Sequence, residues 1–546
     1  MTGRLRERGR LPAVRPLARP LVVLLALGSA ACSSGPDEDG PPELTPRCPG
    51  VIDTGEDDAG EPGAYDRPEA FSRAMCGETT APLDSIDACG IWHLDLDLGP
   101  FGSGPGALRI DVSEEGGEPD LDGMLLGRET ADVRLTSSDL FVRWTTTDSS
   151  GTPVVHAFDA CVVREDGRIA GPYVICYGED CFGGTAVGAR VEPLDQEPAD
   201  GVTLVAEWNG APEAPWPGDS STLNVRHRGE VAYVARQYDG LRVVDLANPA
   251  SPADLGHAPV MYPEVGEFYN DVKIVEAGSS VYALVGSSVR GVVVIDVTDP
   301  AAPAEVLSFP EPTVDQPERN VHTLFVEGSR LYFTLDAGIE IYDVTDPAAP
   351  ERLGGYLLPD LLDLPGYVHD LYVADDIAYL NYWNRGMVVI DATSAAQPDL
   401  LGIFDDYARR TSHSNWVTEV GGRMISVHGD EDYDAHVRII DVDPDSATAF
   451  QEIGSYQTRR EVSVHNIMAL GDRALVTYYQ DGLRVLDLST PTAPEEIAHF
   501  QTWPGPEPGY GATVYEGAIG VDYDSARDLV LLADTHRGLL LLTLDR

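Results

Sequence analysis

The chain has 546 residues, with 37 Lys and Arg against 90 Asp and Glu and a formal net charge of −53. That balance excludes nucleic acid as a partner, because phosphate binding needs a basic footprint, and it disfavours adsorption of the folded surface to anionic lipid. An apolar share of 43% suffices for a core, the length calls for several domains, and 55 Gly with 41 Pro imply many turns between short β elements.

Residues 1–31 read as an export signal. Arg4, Arg6, Arg8, Arg10, Arg15 and Arg19 precede an apolar run from Leu21 to Leu27, far shorter than the ~20 residues a membrane helix needs. Gly28-Ser29-Ala30-Ala31 then lead into Cys32. These residues resemble the lipobox of bacterial lipoproteins, with Ser29 standing where that motif has Leu. The resemblance implies that Cys32 is acylated and anchors the chain to the cell envelope. Ser33 follows where an inner-membrane retention signal has Asp, which by the same resemblance implies the outer membrane or cell surface. Cleavage by ordinary signal peptidase near Ala31 is the alternative. Residues 32–75 are rich in Pro, Gly, Asp and Glu and poor in apolar side chains, so they read as an acidic tether.

The six remaining cysteines, Cys48, Cys76, Cys89, Cys161, Cys176 and Cys181, all precede residue 182. An even set in an exported chain predicts disulfides, with the pairing left open; the Cys176-x4-Cys181 spacing is loose for zinc. Within residues 76–200, runs at 90–96, 107–112, 132–135, 140–144, 154–158 and 188–191 alternate apolar and polar residues. This predicts a small disulfide-bearing β-sandwich or barrel, a spacer or accessory domain. Its Gly90-Ile91-Trp92 opening resembles that of lipocalins.

From about residue 220 the sequence repeats. Gly, four mainly apolar residues and Asp recur before a Pro-containing turn, ending at Asp245, Asp296, Asp343, Asp391, Asp441 and Asp487, with His436 in place of the Gly in the fifth copy and Gly538 opening a seventh copy that ends in Thr543. A period near 50 with four strand signals per unit predicts one propeller blade per repeat, seven in all. The seventh copy stops after three strands, so residues 201–208, just before blade one, are the expected donor of the fourth. The GLRVVD, GVVVID, GMVVID and GLRVLD cores resemble the LVIVD repeat of bacterial and archaeal surface proteins. The resemblance implies an all-β extracytoplasmic seven-bladed propeller over residues 201–546, without one shared activity. The motif Asp residues read as turn formers.

One slot in four successive repeats holds histidine: His322, His369, His413 and His465, spaced by 47, 44 and 52 residues. Inner strands converge on the channel, so these imidazoles are expected in an arc at one mouth. Either each ring locks a neighbouring blade, or together they hold a transition metal; carotenoid-cleaving oxygenases offer an architectural analogy only. Loops on the same side carry Tyr238, Arg290, Arg385, His428, Asp432, Tyr479, His536 and Arg537 as candidate ligand contacts. The acidic insertion at 428–434 reads as a solvated charge run, with calcium as the alternative. No Walker-type phosphate loop, GxSxG elbow or HExxH motif occurs.

The sequence therefore predicts a monomeric surface lipoprotein that binds or adheres through one channel-mouth face. Its expected partners are an extracellular or periplasmic protein, a glycan or a small ligand. A metal-dependent enzyme built on the four histidines is the second reading, with Tyr479, Arg385 and His536 as outer contacts. A structural envelope scaffold is the third.

Overall fold

The computed structural model describes residues 65–99, 102–115, 118–130, 132–148, 150–210, 221–311, 319–335, 337–358, 367–407, 409, 411–506 and 509–545. The export signal, Cys32, Cys48 and the expected tether up to residue 64 lie outside them. Among the described residues no helix is long and apolar enough to cross a membrane. The chain is all-β, with a few short 3₁₀ turns.

Seven four-stranded antiparallel sheets form the propeller. Blades one to six span 222–258, 269–309, 324–357, 368–404, 412–456 and 467–500. The seventh takes three strands from 518–544, and its outer strand is Val202–Trp208, paired antiparallel with Gly538–Leu544. This is the closure expected from the truncated last repeat, and it leaves no open edge there. Ala199–Asp200 adds a fifth strand to blade six, beside Glu495–Phe500.

The repeat motif builds each blade's third strand and the turn after it. Asp245, Asp296, Asp343, Asp391, Asp441 and Asp487 each accept a hydrogen bond from the backbone N–H two residues on, the Asx-turn that fits a tight corner. In six blades a glycine opens this strand, and in blade five His436 stands in its place; in blade four the position demands glycine. Gly386 has φ +92°, and a Cβ there would lie 2.0 Å from the Phe404 carbonyl oxygen. The apolar positions between are fully buried between adjacent sheets, as with Val243, Val293, Ile341, Val388, Ile439 and Leu541.

The N-terminal domain is a sheet wound as an up-and-down meander. Gly90–Asp97 pairs with Asp180–Val191 on one side and Ser103–Glu115 on the other, bringing the ends of the meander together. Its interior is packed with Trp92, Leu108, Ile110, Leu140, Phe158 and Tyr173, so it is a filled barrel rather than a ligand cup. The strands Glu118–Leu125 and Ile169–Tyr177 escape the sequence reading. The first is acidic and contains a proline, and the second is buried on nearly every residue, which erases alternation. Disulfides join Cys76 to Cys161 and Cys176 to Cys181, and Cys89 is also disulfide-bonded. Residues 65–75, at the end of the expected tether, pack on the barrel through Phe71, whose ring lies 6.4 Å from that of Phe141.

The barrel sits on the propeller over blades five to seven. Ile91 and Val191 join one apolar core with Val462, Val464, Tyr478 and Trp503. The buried His93 ring donates from Nδ1 to the Glu461 carbonyl at 2.5 Å. Arg109 donates to the Tyr510 carbonyl and Arg459 to that of Glu192. These contacts gather on the side where the inner strands begin.

Candidate metal centre

In five blades the histidine slot is a β-bulge. In blades four and five the register of the inner strand slips at His369 and His413, and it slips at the matching Leu223, Asn270 and Ile519 of blades one, two and seven. A bulge leaves one residue unpaired and turns its side chain out of the ladder. In blades three and six the slot residues His322 and His465 lie just before the inner strands Leu324–Glu327 and Ile467–Ala469. The four imidazoles stand side by side, with ring centroids 3.9 Å apart from His322 to His369, 4.3 Å from His369 to His413, and 4.3 Å from His413 to His465.

The two ends of this arc are anchored. His322 Nδ1 donates to the Thr323 hydroxyl at 3.0 Å, which in turn donates to the His369 carbonyl at 3.0 Å. His465 Nδ1 donates to the Ile519 carbonyl at 2.6 Å. Each bond ties one blade to the next, as the locking reading expects. Each also fixes the tautomer and leaves Nε2 with its lone pair, the state a metal ligand needs. The two expected roles are thus compatible.

The middle of the arc differs. His413 is 1% exposed, and its ring nitrogens make no well-formed hydrogen bond, only a looser contact with the His465 backbone; His369 Nδ1 is unpartnered. An unsatisfied buried nitrogen is costly. What faces His413 is the Glu431 carboxylate, with Oε2 3.6 Å from Nε2. The other oxygen of Glu431 lies 3.9 Å from His465 Nε2 and accepts a hydrogen bond from the Tyr479 hydroxyl. Ligand atoms of His369, His413 and Glu431 all fall within 4.8 Å of one another, the compass of a single ion.

Burial sets the charge state. Desolvation lowers His322 to about 4 and His465 to about 3, and drives His369 and His413 well below the usual imidazole range. These rings are neutral at pH 7. Desolvation also raises Glu431 to about 8, against the Tyr479 hydrogen bond, which lowers it. Tyr479 itself takes φ +35°, a left-handed conformation uncommon for a non-glycine residue. Beneath the rings, Asp271 accepts from Asn224 at 2.8 Å and pairs with Lys273 at 2.6 Å. Phe325, Tyr372 and Trp416 stack deeper at 5.1 and 4.9 Å.

The family model described as LVIVD repeat matches residues 217–257, 277–310, 365–406 and 463–502. The chain carries LVIVD repeats within a seven-bladed β-propeller. No curated protein matches it. Similar solved structures are the WD40 β-propeller domain of Doa1 (10% identity, TM-score 0.44, 63% of this chain and 96% of that one) and the C-terminal WD40 domain of Sif2 (9%, 0.43, 63% and 98%). The computationally designed Ika8 protein is a third (9%, 0.41, 62% and 98%).

The other predicted loop residues of the LVIVD propeller disperse. Tyr479 alone of them reaches the cluster, and Asp432 is next to Glu431. Arg290 is enclosed by Glu267 and Glu305, both at 2.7 Å. His428 is fully buried and bonded to the Tyr407 hydroxyl at 2.7 Å. His536 stacks on Tyr510 at 4.1 Å, and Arg537 pairs with Glu207. Tyr238 packs edge-on against Phe268, and the Arg385 N–H donates to the Tyr382 carbonyl at 2.6 Å.

The acidic insertion is not the solvated run its composition suggests. The barrel covers it, and residues 428–433 are buried. Asp430, Asp432 and Asp434 each have an arginine, namely Arg438 at 3.2 Å, Arg409 at 3.4 Å and Arg460 at 2.8 Å. Those carboxylates are committed to guanidinium groups, which leaves little for calcium. Glu431, the member without an ion-paired arginine among the described residues, turns to the histidines. Sequence reasoning quoted it only as part of the loop.

Proposed function

We propose that this LVIVD propeller is a metalloprotein holding one transition-metal ion at the channel. His369, His413 and Glu431 are the central ligands, with His322 and His465 flanking. The observation that carries this is the convergence of three buried side chains, His369, His413 and Glu431, whose ligand atoms lie within 4.8 Å of one another, with His413 making no well-formed hydrogen bond. Imidazole nitrogen with one carboxylate suits iron, manganese, copper, nickel or zinc over magnesium or calcium. An ion held this way and keeping an open position acts as a Lewis acid towards a bound oxygen atom. The reading places the protein outside the cytoplasm, lipid-anchored through Cys32, and the disulfides support an oxidising compartment.

The test is metal content and reconstitution. Purified protein, stripped with chelator and titrated with Fe²⁺, Mn²⁺, Co²⁺, Cu²⁺ and Zn²⁺, is expected to take up about one equivalent of at least one ion. The folded His369→Ala, His413→Ala double variant should take up none. Failure of the wild type to bind any of them retires the metal reading. What then stands is the interaction module with which the fold is consistent. Exposed Leu400, Leu401 and Ile403 on the outer strand of blade four favour that second reading.

A further inference from the structure

We infer that the barrel is a working part of the metal centre: its Asp95, acting through Arg409 and Asp432, positions the Glu431 carboxylate. This rests on the metal reading above and extends it to residues far from the histidines. Glu431 lies in the turn between Arg423–Asp430 and Val437–Asp441 of blade five. The corresponding turn of blade four has three residues between Ile377–Tyr382 and Gly386–Asp391, so no repeat partner dictates the longer one. Four of the five positions from Asp430 to Asp434 are carboxylates, Tyr433 being the exception. Left alone they repel one another and seek water.

Three tethers hold the turn inward. The Glu431 N–H donates to the Thr411 carbonyl at 3.0 Å. Arg460 grips Asp434 through two nitrogens, at 2.8 and 2.9 Å. Arg409 stands between the propeller's Asp432, at 3.4 Å, and the barrel's Asp95, at 2.5 Å. Asp432 is 4% exposed at its side chain, so Arg409 is its neutralising partner. Asp95 in turn aims the guanidinium, which can fork between two carboxylates where a lysine could not. On the same barrel strand, His93 is bonded to the Glu461 carbonyl and completes the cover. Asp95, Arg409 and Asp432 are therefore positioning residues for the carboxylate beside His413.

The test uses the full chain and Co²⁺, whose visible spectrum reports its ligands. Asp95→Asn is expected to weaken Co²⁺ binding several-fold, less than the roughly 10- to 100-fold lost with a group bonded directly to a metal ligand. Its spectrum should shift towards that of Glu431→Gln, and Asp95→Glu should restore both. Asp432→Asn makes the same prediction from the propeller side should Asp95→Asn fail to fold. Wild-type affinity and spectrum in both folded variants, with only a lowered melting point, would overturn the inference while leaving the metal site intact. Absence of Co²⁺ binding by the wild type, together with the other ions, would instead sink the metal reading and this inference with it.

Discussion

His413→Leu separates a ligand from a lock. In the metal-free protein His413 makes no well-formed hydrogen bond at 1% exposure. An unsatisfied buried polar group costs about 1–3 kcal/mol. Leucine of similar volume removes that cost, so the metal-free variant should be more stable than the wild type. For a propeller of roughly 340 residues the unfolding entropy near the midpoint is about 0.7 kcal/mol/K, which converts the gain to about 1–4 °C. With metal at 100 times its dissociation constant the wild type should gain about 2.7 kcal/mol, hence about 4 °C, and the variant nothing. Scanning calorimetry of both proteins, with and without the reconstituting ion, gives the four midpoints. If His413→Leu lowers the metal-free midpoint by several degrees, His413 is making stabilising bonds of its own and the argument from its lack of well-formed hydrogen bonds is wrong.

Acid should destabilise the protein. His93 and His156 are lowered to about 4 by burial, as are the channel histidines to similar or lower values. Each folded value lies below the unfolded ~6.5, so the stability these rings contribute is lost as pH falls below it, at about 1.4 kcal/mol per unit per ring; the buried carboxylates of Asp159, Asp370 and Glu431, raised to about 7, 7 and 8, act in the opposite sense, so melting points should fall below pH 6.5 by the difference. His227 runs the other way. Its hydrogen bond to Asp522 at 2.7 Å raises it, so it stabilises the contact between blades one and seven below about pH 6.5 and loses that effect as pH rises through the folded value. His227→Gln should therefore destabilise at pH 6 more than at pH 8.5, and an equal effect at both would refute the assignment. Gly511→Ala should undock the barrel, because φ is +91° and the new Cβ would lie 2.7 Å from Ile91. Limited proteolysis should then cut between barrel and propeller, where the wild type resists. Glu431→Gln keeps the Tyr479 contact but cannot ionise. It should raise the metal-free midpoint most at pH 8 and above, where the wild-type carboxylate is forced to charge, and a uniform shift across pH would contradict this.

The propeller was legible because its information is local and repeated. Gly386, the apolar positions and Asp391 each do within one blade what their chemistry prescribes, and six other copies repeat the message. The histidine arc was legible for the same reason, since a shared slot in successive blades must face one axis. Glu431 was not. Its turn has no counterpart in the repeat, and it lies under a docked barrel whose Asp95 holds Arg409 across 314 positions of sequence. Composition reads such a segment as solvated, and only the docked domain reverses that. The barrel's buried strand Ile169–Tyr177 was hidden by the opposite problem, an apolar run with no alternation to announce it.

The bulge at the slot has a consequence for how such proteins change. In five blades the backbone does the aiming, so the slot tolerates different side chains: Leu223, Asn270 and Ile519 stand there beside the histidines of blades four and five. A codon change at such a position adds or withdraws a donor while leaving the strand pairing behind it in place. The ring is in that sense a dial with several settable positions, and its descendants can alter coordination number or softness on one inherited scaffold.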